Sequence, residues 1–374
     1  MKFRIDHDSF SKTLSLLNHV VPLKPNLPVI ANILIECNKN KLSLSATNLE
    51  LALTLTLPAK IEREGKTTFP ARITSEFVSS LINKELEIEL IDQLLYINQE
   101  KVKASFSTIP AEEFPSIPQI EEKTSFSVDK NLFSQALERV VFAAAQDEGR
   151  PTLTGVLWEG QDSNLKMVAT DGYRLSFVKI SLGKVADSLK IIVPAKTLVE
   201  VLRICQEDAE KSDKLEIYWQ AEDNQIGFKL GEKKIISRLI EGQFPDWERI
   251  VPEEFKIKIV LDKEEFLRNL KTASIFARES GGVVKCIIAP KSLTLKANTA
   301  QVGENECAFP AKTQGETGGE IAFNYRYLLD VLTVISEDEV SFSMIESLNP
   351  AIFRPVGKEG ENFFHIIMPV RVQD

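Results

Sequence analysis

The sequence predicts an α+β protein: three tandem similar domains, each laying two helices on antiparallel sheets. Three observations predict it. The chain repeats itself about every 125 residues, its strand-like segments alternate apolar and polar residues with a period of two, and each repeat holds two amphipathic helical stretches. A period this long exceeds that of solenoid repeats and suits domains large enough for their own cores.

The repeat is read residue by residue. "RPTLTGVLWEGQDSNLKMVATDGYRLSF" from Arg150 falls on "LPVIANILIECNKNKLSLSATNLELAL" from Leu27: Pro151 meets Pro28, Leu157 meets Leu34, and Ala169-Thr170 meets Ala46-Thr47, an offset of 123 residues. Phe133-Ser134 meets Phe10-Ser11 at the same offset, and "PAKTLVEVL" from Pro194 answers "PARITSEFV" from Pro70. "EEFPSIP" and "GQFPDWERIVP" close their units. A fainter third copy runs from "EEFLRNLKTASIFA" through "GGVVKCIIAPKSLTLKAN" to "IAFNYRYLLDVLTVI". Pro- and Glu-rich links at 118–126 and 249–257 put the domains at 1–122, 123–252 and 253–374.

Each unit is halved. "KFRID" leads to a helix from Ser9 to Val20, with Phe10, Leu14 and Leu17 as its packing stripe; "TTFPA" leads to a helix from Arg72 to Asn83. "KLSLSA", "LALTLTL", "ELEIELI", "LLYINQ" and "KVKASFS" alternate as half-buried antiparallel strands. Exposed helix cations include Arg72, Lys130, Arg139, Lys196, Arg203 and Arg326, whereas loops and strands hold much of the acid. Solvated helix faces account for any one of these cations. Six such faces turned inward would instead line a sequence-blind phosphate track.

Composition narrows the function classes. A net charge of −9 argues against bulk electrostatic attachment to nucleic acid, without excluding basic groups gathered on one surface. No apolar run reaches membrane-span length and "MKFRIDHDSF" is no export signal, which points to the cytoplasm. Cys37, Cys205, Cys286 and Cys307 have no CxxC spacing and read as reduced thiols. The three histidines stand in no metal or catalytic motif, and no phosphate loop, GxGxxG turn or GxSxG elbow occurs. No cofactor or metal is expected. "ATDGYRLS" (169–176) is ambiguous: Asp171 is either a catalytic acid on a tight turn or a residue that fixes a hairpin corner through its own backbone, and the second reading is preferred.

"ATDGYRLS", "GQFPDWERIVP" (242–252), "FNYRYLLDVL" (323–332), "NPAIFRP" (349–355) and "HIIMPVR" (365–371) occur in an order and spacing that resemble the bacterial DNA polymerase III beta subunit, the sliding clamp, over essentially the whole chain. The resemblance implies two chains joined head to tail as a homodimeric ring of six domains around duplex DNA. It implies a non-catalytic processivity factor, nucleoid-associated. The expected partners are the polymerase III alpha subunit, the ATP-dependent clamp loader through its delta subunit, and other polymerases, ligase and mismatch-repair proteins bearing short clamp-binding peptides. The peptide pocket carried over is Leu153, Thr170, Gly172, Tyr173, Arg174, Leu175, Pro245, Ile250, Ile366, Met368, Pro369, Val370 and Arg371, with Arg174 and Arg371 at its rim. Lys24, Arg72, Arg150, Lys196, Arg203 and Arg249 would face DNA. Phe77, Leu81 and Phe106 would meet Ile275 and Phe276 of a second copy, intradomain core being the rival reading of these five. Tyr173 replaces a histidine common in the family, and Pro151-Thr152 replace its usual aromatic or polar residues; both are departures. A three-domain peptide-binding scaffold that does not encircle DNA is the alternative, and a hydrolase or transferase using Asp171 a further one.

Overall fold

A computed structural model describes residues 1–371 except 40, 83, 121–124, 184–188, 208–211, 221–222, 253, 300–302 and 317. The first domain boundary, part of the second link and the Val372–Asp374 tail lie outside the described residues. The repeats share one element order, except that among the described residues the second has no counterpart of the fourth of the five strands that lie between the two helices in the other two. The first runs β1 (Lys2–Ile5), α1 (His7–Val20), β2 (Asn32–Asn38), β3 (Lys41–Thr47), β4 (Leu51–Pro58), β5 (Lys60–Arg63), β6 (Gly65–Pro70), α2 (Ala71–Ser79), β7 (Leu86–Ile91), β8 (Leu94–Gln99) and β9 (Val102–Ser107). The second runs β10 (Ser125–Asp129), α3 (Lys130–Val140), β11 (Gly155–Gln161), β12 (Asn164–Thr170), β13 (Arg174–Ser181), β14 (Lys190–Pro194), α4 (Ala195–Gln206), β15 (Lys214–Gln220), β16 (Gln225–Leu230) and β17 (Lys233–Arg238). The third runs β18 (Ile257–Asp262), α5 (Lys263–Ala277), β19 (Val283–Ala289), β20 (Ser292–Thr299), β21 (Gly303–Pro310), β22 (Lys312–Gly315), β23 (Gly319–Asn324), α6 (Tyr325–Val334), β24 (Glu339–Met344), β25 (Ala351–Pro355) and β26 (Phe363–Ile367).

Local chemistry explains the helix bounds. The Asp6 carboxylate accepts the Ser9 amide at 2.9 Å, so α1 starts two residues before the predicted Ser9, and its stripe of Phe10, Leu14 and Leu17 is fully buried. Asp262 caps α5 in the same way through the Glu265 amide. The α2 helix stops at Ser79 rather than Asn83, because the Ser79 and Ser80 hydroxyls take the Glu76 and Phe77 carbonyls at 2.9 and 2.7 Å. The α3 helix ends at Val140, although the apolar run continues: Val141–Ala143 tighten into a 3-10 turn, and the Ala145 amide bonds the Leu153 carbonyl at 2.8 Å. Between β11 and β12, Asp162 and Ser163 both have positive φ, 49° and 63°, which matches a two-residue turn to the strand twist.

Among the described residues all strand pairs are antiparallel, in sheets ordered β5-β1-β7-β8-β9, β10-β15-β16-β17-β4-β3-β2-β6, β14-β11-β12-β13-β26-β25-β24-β18-β22 and β21-β20-β19-β23. The chain forms two compact units, Met1–Asn131 with Lys196–Leu239, and Leu132–Ala195 with Ile240–Asp374; each holds two whole sheets. The elements of the second repeat are thus shared between the two units. In the first unit α1 packs on α2, β3 and β4; in the second, α5 packs on α6, β20 and β21. Among the described residues no helix is long and apolar enough to cross a membrane.

Candidate functional site

The turn 170–174 is built from its own polar groups. The Thr170 hydroxyl donates to the Arg174 carbonyl at 2.6 Å and accepts the Gly172 amide at 3.0 Å. One oxygen of the Asp171 carboxylate accepts the Tyr173 and Arg174 amides, each at 2.9 Å. Asp171 therefore fixes the corner through backbone bonds. Gly172 sits at φ 90°, where a side chain is strained, and a Cβ there would approach Arg150 Nη1 to 2.8 Å. The corner presents Tyr173, 62% exposed, toward solvent.

Behind the corner lies an apolar cluster drawn from several chain segments. Leu153, Leu175 and Ile366, three of the carried-over pocket residues, are buried together with Phe177, Phe244, Trp247, Ile352 and Phe364. Leu175 is the direct cross-strand partner of Ile366, and the Met368 amide continues the pairing to the Tyr173 carbonyl at 2.9 Å. Phe177 stacks on Phe364 at 4.7 Å and tilts against Trp247 at 5.2 Å. Pro245 and Ile250 are exposed beside Phe244 and Val251, which join the cluster, and Met368 is 38% exposed. Thr170 is buried, whereas Pro369 and Val370 are half-buried and the Val370 amide bonds the Ala322 carbonyl at 2.8 Å. The aromatic members Phe177, Phe244, Trp247 and Phe364 are absent from the carried-over set. Phe244 and Trp247, three apart in the quoted "GQFPDWERIVP", were the available signal.

Arg174 is not at a rim. Its side chain is only 11% exposed; Nε donates to Asp171 at 3.1 Å, Nη2 to the Phe142 carbonyl at 2.7 Å and Nη1 to Asp330, while the guanidinium lies 5.3 Å over Phe142 and 4.6 Å over Tyr327. These contacts engage all three of its nitrogens, so its work is to hold the corner. Burial, then the Asp171 carboxylate, raises the Tyr327 phenol above its ordinary pKa. Burial, then Arg174, holds the wholly buried His365 imidazole well below 6.5; its Nδ1 lies 2.6 Å from the Ser176 hydroxyl. Arg371 is exposed but lines a different cavity, of about 470 Å³, with Lys285, Lys296, Glu304 and Glu306.

The six cations expected to face DNA are differently engaged. All six are exposed or half-exposed. Arg203 pairs with Glu200 at 3.1 Å and Arg249 with Asp246 at 2.6 Å. Arg150 Nη2 donates to the Asp171 carbonyl at 3.0 Å, which ties it to the corner. Arg72 reaches the Val21 carbonyl at 3.5 Å, while Lys24 and Lys196 are exposed. Arg139, read from the sequence as an exposed helix cation, is 12% exposed: it pairs with Glu337 and Glu359 and covers the Phe363 ring. Of the expected subunit contact, Phe77 and Phe106 pack edge to face at 5.6 Å within the chain. Leu81 and Phe276 are half-buried, and Ile275 is 55% exposed. Among the described residues no group of three or more His, Cys, Asp or Glu side chains could hold a metal ion.

Comparison with known proteins follows the repeat. The DNA polymerase III beta subunit families match in chain order: the N-terminal domain at residues 1–118, the central domain at 127–246 and the C-terminal domain at 248–371. The beta sliding clamp of Staphylococcus aureus is 27% identical over 381 residues, 99% of each chain. The crystal structure of the Bacillus subtilis DNA polymerase sliding clamp superposes with a TM-score of 0.92 at 29% identity, and that of the Thermotoga maritima DNA polymerase III beta subunit with 0.92 at 26%, each covering 100% of both chains.

Proposed function

The chain belongs to the DNA polymerase III beta subunit family, and from that premise we propose how it works as a sliding clamp that encircles duplex DNA and gives the replicative polymerase its processivity. The observation that carries the reading is the fate of equivalent sheet edges. The strands β4 and β13 each pair with the last strand of the following repeat, β17 and β26. Their third-repeat counterpart β21 is a sheet edge, and so is β9, the last strand of the first repeat. A second copy placed head to tail pairs each β21 with the other chain's β9, satisfies the unpaired backbone groups, and closes after two chains. Phe106 on β9 with Phe77 packed against it, Leu81, and Ile275 and Phe276 of α5 are the apolar groups for that contact. Three domains per chain, at 1–122, 123–252 and 253–374, make six around the duplex.

Within the ring Lys24, Arg72, Lys196, Arg203 and Arg249 serve as weak phosphate contacts that permit sliding, with Arg150 contributing less because its guanidinium donates to the Asp171 carbonyl. Confinement rather than adhesion keeps the clamp on DNA, so the protein needs no catalytic group or cofactor. The Leu153–Leu175–Ile366 cluster is the floor of the peptide pocket. Gly172, Tyr173, Pro245, Ile250, Met368, Pro369, Val370 and Arg371 are its exposed approaches, and Thr170 and Arg174 its support. Its ligands are short peptides of the polymerase alpha subunit, the loader's delta subunit, other polymerases, ligase and mismatch-repair proteins; docking raises their effective concentration at the primer end. Retention on nicked circular DNA, with a clamp loader supplied, tests the reading: release on linearisation is expected, and equal loss from closed and cut circles refutes it. Phe106→Asp should convert a dimer of about twice 42.0 kDa to monomer in sedimentation.

A further inference from the structure

The first repeat carries a second copy of the corner, built bond for bond. The Thr47 hydroxyl donates to the Leu51 carbonyl at 2.9 Å and accepts the Leu49 amide at 3.0 Å; the Asn48 side-chain oxygen accepts the Glu50 and Leu51 amides at 3.0 and 2.8 Å. These are the bonds of Thr170 and Asp171, displaced by 123 residues. Leu49, at φ 79°, occupies the place of Gly172 at φ 90°. The strand partner is equivalent too: Ala52 pairs with Ile236 as Leu175 pairs with Ile366, and the Arg238 amide bonds the Glu50 carbonyl at 3.0 Å as the Met368 amide bonds that of Tyr173.

At this place the structure has a cavity of about 470 Å³, whose lining includes Leu49, Ala52, Pro115, Ile236 and Arg238. Its size suits a few residues of extended chain. Its floor is fixed, since Ile236 is buried against Ile120 and Tyr218. Two features suit an occupant. Leu49 keeps a positive φ and is 46% exposed, so its apolar surface is presented to the groove at a backbone cost. Arg238 is exposed and pairs with no carboxylate among the described residues, a free fork of donors at the mouth.

We infer that this groove is a second peptide-docking site, selective for a short extended segment that carries aliphatic side chains followed by a carboxylate. The inference rests on the reading of the 170–175 corner as a peptide pocket, and departs from it in chemistry. Arg238 stands where that pocket has Met368, and Glu50 where it has Tyr173. The carboxylate pairs with Arg238, and the aliphatic groups, two residues apart on one side of the extended chain, rest on Ala52, Leu49 and Ile236. Glu50 at the same edge repels a second acid and favours a ligand with a single carboxylate.

The test uses the full-length protein and the fluorescein-labelled pentapeptide Ser-Leu-Ser-Leu-Asp, amidated at its end, in equilibrium binding. Two sites per chain are expected. Arg238→Glu should weaken one of them roughly tenfold or more, and a peptide with lysine in place of aspartate should recover that loss. Ser116→Trp, an exposed change at the cavity wall, should block the same site by bulk while leaving the fold intact. Met368→Asp should abolish only the other site. Two sites untouched by Arg238→Glu and Ser116→Trp, or a single site lost only in Met368→Asp, would overturn the second groove while the first pocket stands. Loss in Arg238→Glu with no effect of Met368→Asp would support the groove and count against the first pocket instead.

Discussion

Replacing Arg174 by alanine should destabilise the second compact unit more than any other single change at the corner. The guanidinium makes two well-shielded bonds, to the Phe142 carbonyl at 2.7 Å and to Asp171, whose side chain is 16% exposed. Hydrogen bonds to charged groups contribute about 1.5–3 kcal/mol each. The contact with Asp330 is worth little, because that carboxylate is 43% exposed and screened by water. Stacking on Phe142 and Tyr327 adds about 1 kcal/mol. The desolvation of arginine itself is recovered in the variant, which leaves a net loss of about 3–5 kcal/mol, the usual result of removing one partner from a buried charged network. For a cooperative unit of 150–250 residues this lowers Tm by roughly 6–20 °C, at about 2–4 °C per kcal/mol. Scanning calorimetry on the dimer at fixed concentration measures it. Arg174→Lys, which keeps the charge and loses the fork, should recover less than half of the loss. A fall below about 2 °C for Arg174→Ala would mean that the corner stands without its arginine, and the description of Arg174 as an internal brace would be wrong.

Other predictions follow from the same geometry. Gly172→Ala, forced to φ 90° and set against Arg150, should cost about 1–2 kcal/mol in urea denaturation; no loss would refute the strain. The buried His365 stays neutral in the folded state, while the unfolded chain takes up a proton below about pH 6.5. Stability should therefore be full above that pH and fall as pH drops through it, by up to about 1.4 kcal/mol per unit, and His365→Gln should flatten that slope in pH-dependent melts. Burial pushes the Cys37 and Cys286 thiols up to about 12, so iodoacetamide at pH 8 should label the partly exposed Cys307 first, with those two reacting only on unfolding; mass spectrometry of the peptides decides it. Arg72→Glu with Lys196→Glu should shorten retention on circular DNA while leaving peptide affinity unchanged; unaltered retention would remove these two from the DNA-facing set.

What is local or repeated was legible in the residues alone. The 3.6-residue stripe of Phe10, Leu14 and Leu17, the two-residue alternation of the strands and the 123-residue offset between Thr47 and Thr170 each follow from backbone geometry, which has few options per residue. The turn role of Asp171 was legible for the same reason: the carboxylate and the amides it binds lie within three residues. Helix ends were less so, since the Ser79 and Ser80 hydroxyls compete with the backbone at a position that periodicity does not mark. Tertiary structure alone decided that Arg174 turns inward, because its partners Phe142, Tyr327 and Asp330 come from segments up to 156 residues away. It also decided that β4 meets β17 and β13 meets β26, which assembles the Leu175–Ile366 floor and its first-repeat counterpart Ala52–Ile236. Pairing between distant strands depends on which edges are left unsatisfied once every local element has formed, and no short window of residues contains that information.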